Sequence, residues 1–132
     1  MKMNLKMKMK LSQYWKSIIV TIAVLYLSLA ASKTFSHIPT FNHEDYLIHF
    51  LMYMGLTLTL TYDSKLHLKS HYTPTSQTFC VVFPLVLGGM LEIFQPIIST
   101  RIASWMDFMF NTLGVIVASF IAHYWRKYQP RN

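Results

Sequence analysis

Acidic side chains are scarce in this sequence. Asp and Glu number five in 132 residues, and charged residues of both signs make up 13 %, about half the share of a soluble domain. A small soluble core wrapped in charge is therefore not the expected class. Cysteine occurs once, as Cys80, so neither an intrachain disulfide nor a cysteine metal cluster can form, and the residue reads as small apolar filler. Several motifs are missing too. The net charge of +7 invites a nucleic-acid reading, but no zinc-finger, helix-turn-helix or RNA-binding signature accompanies it, and the basic residues gather at the ends of apolar segments. Membrane lipid headgroups account for that placement, and no nucleic-acid partner is expected. There is no His-Glu-x-x-His, no Gly-x-Ser-x-Gly elbow and no Cys-His pair, so no metal ligand, cofactor or covalent nucleophile is assigned.

What remains is apolar. Hydrophobic residues make up 53 % of the chain and the mean hydropathy is +0.32, which predicts an all-α integral membrane bundle, a single domain over residues 1–132. The apolar runs place four transmembrane helices near residues 14–33, 45–62, 78–96 and 102–125. Residues 1–16 carry five lysines and no acid. Followed by the charge-free run Ser17 to Ala31 and the small-x-small triplet Ser28-Leu29-Ala30, they also fit a cleaved signal peptide; a retained first helix is the simpler account beside three further spans. Pro96 predicts the end of the third helix and a turn over 96–101. Asp63 to Gln77 reads as a hydrophilic loop. Its pair His67 and His71 is taken as solvated, because Lys65 and Lys69 interleave with it and Pro74 follows. Ten of the twelve Lys and Arg lie in residues 1–16, in this loop and in the tail after Trp125, against Lys33 and Arg101 in the other connections. The positive-inside rule therefore puts both termini in the cytoplasm.

Two of the five acids stand in the most informative stretch, residues 92–114. Glu92 and Gln95 share a helix face, as do Ser104, Asp107, Asn111 and Gly114, and the two sets flank a short connection carrying Arg101. At the start of the second span Asp45, His49 and Tyr53 recur every fourth residue, aligning a carboxylate, an imidazole and a phenol. In the four-span topology all three stripes meet at the outer side. A charge in an apolar segment costs roughly 2.5 to 3.5 kcal/mol, so such residues face a protein interior and mark a site.

At these positions the chain resembles the VanZ-like family of small bacterial membrane proteins. The resemblance rests on Asp45, His49-Phe50, Tyr53, Glu92, Gln95, Arg101, Ser104, Asp107, Asn111 and Gly114, and spans residues 45 to about 118. Tyr46 stands where the family often has lysine, and Ile97-Ile98-Ser99-Thr100 where Pro-Gly commonly precedes the arginine. The resemblance implies a multi-pass protein of the bacterial plasma (inner) membrane and an envelope role linked to resistance to the glycopeptide teicoplanin. Beside a small transporter, which four spans would need to oligomerise to form, three readings of the polar residues stay open. Asp45, His49, Glu92, Arg101 and Asp107 form a paired network that only fixes helix register. Alternatively, Asp45, His49, Tyr53, Glu92, Gln95, Arg101, Ser104, Asp107 and Asn111 bind an anionic ligand, a lipid-linked precursor or a glycopeptide, with Arg101 and His49 as the anion-holding groups. In the third, His49 acts with Glu92 or Asp107 as the catalytic acid/base or as metal ligands of an intramembrane enzyme. The oligomeric state is left open.

Overall fold

The computed structural model describes residues 12–34, 44–68, 74–98 and 104–128. These form four helices and no strand: α1 Trp15–Thr34, α2 Glu44–Leu68, α3 Pro74–Ile98 and α4 Trp105–Tyr128. The all-helical expectation holds. Of the four, α3 and the Trp105–Trp125 part of α4 are long and apolar enough to cross a membrane, and Trp15–Leu29 is a shorter apolar stretch. α2 is less apolar because its buried face carries His49, Thr57, Thr61, Asp63 and Ser64.

Four boundaries differ from the sequence reading. α2 runs to Leu68, through the segment expected to be loop from Asp63 onward. The apolar run does stop there, but Asp63 is only 1 % exposed and its carboxylate is satisfied by another helix, so the polar residue continues the helix. α3 begins at Pro74, where the lack of an amide hydrogen costs nothing, since the first helical N–H groups have no intrahelical acceptor. It also passes through Pro96 to Ile98 where the sequence predicts a stop and a turn; so close to the helix end, the proline removes only the bond to the Glu92 carbonyl. α4 starts at Trp105, not 102, because Ser104 serves as its N-cap: the Ser104 carbonyl accepts from the Phe108 amide at 3.3 Å and its Oγ from the Asp107 amide at 3.4 Å.

Side-chain bonds fix the arrangement. The start of α1 meets the end of α2 through Ser17 and Asp63, the ends of α1 and α3 meet through Ser28 and Gln95, and the end of α3 meets the start of α4 through Glu92 and Ser104. Successive helices therefore run antiparallel. α2 touches all three others and packs most extensively on α4. Gly114 permits that approach: a Cβ there would collide with the Phe50 carbonyl oxygen and lie 3.0 Å from the Met54 amide nitrogen, so the two backbones touch as small residues allow in helix pairs. Gly88 does the same for the ring of Tyr53, whose Cε1 lies 3.1 Å from the position of its absent Cβ.

Polarity is distributed inside out. The buried set includes His49, Thr57, Asp63, Glu92, Gln95, Asp107 and Asn111, while Ile22, Tyr26, Val86, Ile93, Met109 and Phe120 are among many large apolar side chains left exposed. An apolar exterior of this extent requires lipid or a partner to cover it.

Candidate functional site

The polar stripes of α2, α3 and α4 converge at one end of the bundle. His49 stands on the second turn of α2, and the α-helical repeat of four places Tyr53 directly below it, both fully buried. Asp107 and Asn111, also four apart, project from the first turns of α4 toward the same imidazole. His49 Nδ1 lies 2.9 Å from Asn111 Oδ1 and Nε2 lies 3.5 Å from Asp107 Oδ2. Because an amide oxygen only accepts, Nδ1 carries the proton, and Nε2 faces the carboxylate. Glu92 approaches from the end of α3, and its Oε2 accepts the Ser104 amide hydrogen at 3.1 Å. A carboxylate is thus set against the N-terminus of α4, where the unpaired amides and the helix dipole favour negative charge. Above this floor Tyr46 of α2 stacks on Phe110 of α4, with ring centroids 5.1 Å apart and planes within 7°.

An open groove of about 410 Å³ leads off the cluster, lined by Gly89, Glu92, Ile93, Ser104, Trp105 and Phe108. Its walls are almost wholly apolar. Glu92 and Ser104 are its polar points, so the groove joins the buried cluster to the apolar exterior.

The sequence-predicted residues separate into groups. His49, Glu92, Ser104, Asp107 and Asn111 come together, with Tyr53 immediately beneath. Gln95 is fully buried, and its Nε2 donates to the Ser28 carbonyl at 3.2 Å, which ties α3 to α1. Asp45 lies one turn before His49 and is exposed. Arg101 lies outside the described residues, as do Lys69 and His71 of the expected loop.

A second polar cluster, at the opposite end, has no counterpart in the sequence reading. Asp63 Oδ2 accepts both the amide and the hydroxyl of Ser17, at 3.0 and 2.7 Å. Beside it the Ser64 hydroxyl bridges Tyr14 at 3.1 Å and Cys80 at 3.4 Å. Lys16 lies over the ring of Tyr62 at 4.6 Å, which keeps its charge at the bundle's edge. Asp63 is one of five acids in an apolar chain, and that rarity was the available signal; the polar residues that follow it gave the appearance of a loop. Comparison with protein families, curated proteins and solved structures finds nothing that matches this chain.

Proposed function

We propose that this chain is a four-span, VanZ-like protein of the bacterial plasma membrane, with both termini cytoplasmic, that binds the anionic headgroup of an envelope lipid at the outward end of α2, α3 and α4. The observation that carries the reading is the continuity of a buried polar cluster with an apolar groove through Glu92 and Ser104. An amphiphile fits that combination: its chain lies along Ile93, Trp105 and Phe108, and its polar head meets the helix start and the cluster. The ten-to-two distribution of Lys and Arg sets this end outward. Arg101 falls between Ile98 and Ser104 in the chain, next to the groove in sequence, and supplies a bidentate partner for phosphate that lysine does not reproduce.

An isoprenoid phosphate or other lipid-linked precursor suits this lining better than a glycopeptide, because the groove is apolar apart from Glu92 and Ser104 and favours a ligand with an apolar chain and one polar head. A second reading has one specific observation in its favour. His49, oriented by Asn111 and facing Asp107, has the arrangement of a general acid/base, so chemistry on the same lipid is the alternative. Native mass spectrometry of the full chain released from lipid tests the binding. One retained anionic lipid per chain, with Arg101→Lys folded but lipid-free, is the expected outcome. A wild-type protein free of any anionic lipid would remove the proposal.

A further inference from the structure

One ligand atom from each of His49, Glu92 and Asp107 lies within 4.8 Å of the other two, and all three side chains are buried. We infer that these residues form a binding site for a single divalent transition-metal ion, Zn²⁺ or Mn²⁺ by ligand type. Imidazole with two carboxylates is a donor set suited to these ions. An ion held at about 2.1 Å from each ligand sets the ligand atoms up to roughly 4.2 Å apart. Binding the ion therefore draws the three ligand atoms slightly together.

Two further observations point to a ligand. His49 uses Nδ1 to hold Asn111 Oδ1 at 2.9 Å, as metal-binding histidines engage an oxygen with their second nitrogen, which leaves the Nε2 lone pair aimed at the convergence point. Tyr53 is 0 % exposed and its hydroxyl has no hydrogen-bond partner among the described residues, an uncommon state for a buried polar group. Its ring end is at the site: the Cβ position of Gly88 is 3.3 Å from both Tyr53 Cζ and Asn111 Nδ2. A water or ligand oxygen on the ion supplies the acceptor this hydroxyl needs. The site stands on these side chains whatever fills the groove, so it is separable from the lipid reading. Since Glu92 also lines the groove, the ion sits where a phosphate oxygen of a bound headgroup completes its coordination.

The test is metal uptake by the full chain, purified without a histidine tag, stripped with EDTA and titrated with Zn²⁺ and Mn²⁺ against a chromophoric chelator. One ion per chain is expected, with affinity at least tenfold weaker in Glu92→Gln and Asp107→Asn and unchanged in the double variant His67→Ala, His71→Ala. Asn111→Ala keeps all three ligands and loses only the orienting bond; a drop of about 10- to 100-fold is expected from it, and it decides the matter if Asp107→Asn does not fold. No stoichiometric uptake by the wild type, or full affinity in folded Asp107→Asn or Asn111→Ala, would overturn the site. Lipid retention by a metal-free protein would overturn nothing here, since it reads the groove and not the ion.

Discussion

At the scale of single residues, two side chains show how an acid-poor chain uses its acids. Asp63 satisfies two donors of Ser17 through one oxygen, in a position 1 % exposed. Asp63→Ala leaves both without that partner, and a loss on the order of 2 kcal/mol is expected; chemical denaturation in detergent measures it, and an unchanged midpoint would show the anchor to be unimportant. Gly114→Ala should cost more than a propensity change predicts, because the added methyl falls on the backbone of Phe50 and α2 must move away from α4. The thermal midpoint in detergent checks this, with Gly55→Ala, whose new Cβ meets nothing within 4 Å, as the tolerated comparison.

The candidate site was largely legible at this scale. Spacing of three and four residues aligned His49 with Tyr53 and Asp107 with Asn111, and those faces do meet. Gln95 was placed on the correct face of α3, but periodicity does not reveal which neighbour a face meets; its amide reaches α1. Asp63 was missed for a related reason: a polar residue at the end of an apolar run looks the same whether water or another helix satisfies it.

At the scale of elements, α1 is fastened at both ends. Ser17 binds Asp63 of α2 near its start, and the Ser28 carbonyl receives Gln95 of α3 near its end. Cleavage after Ala30 would remove both attachments and expose the Gln95 amide. Peptide mapping of the purified protein should therefore recover α1. A species beginning at Ala31 would show that residues 1–30 act as a signal peptide and that α2 and α3 are covered by something else. Helix existence was readable from apolar runs, whereas ends were not. Pro74 and Ser104 stand at helix starts, while α2 runs on past Asp63 and α3 past Pro96, all through hydrogen bonding that hydropathy does not register.

At the scale of the whole molecule, the inside-out distribution of polarity explains why so few charges suffice. In the proposed membrane setting, lipid in place of water reverses the usual assignment, and small-residue contacts and buried hydrogen bonds hold the bundle more than apolar burial does. The proposed topology makes a plain prediction. A carboxy-terminal alkaline phosphatase fusion should be inactive and a fluorescent protein fusion bright; the reverse pattern would place the His49 cluster on the cytoplasmic side and remove the envelope ligand from reach.

In the proposed function the groove beside Glu92 and Ser104 holds the chain of an amphiphile whose head lies at the cluster. Gly89 and Gly55 provide a matched pair for testing it. A side chain at Gly89 projects toward the groove wall at Phe108, with only an ordinary 3.6 Å contact at its Cβ, whereas one at Gly55 meets nothing within 4 Å. The decisive measurement is anionic lipid retained per chain, by native mass spectrometry, in wild type, Gly89→Leu and Gly55→Leu proteins of equal thermal stability. Retention in wild type and Gly55→Leu with loss in Gly89→Leu is the predicted result; equal retention in all three would contradict the account.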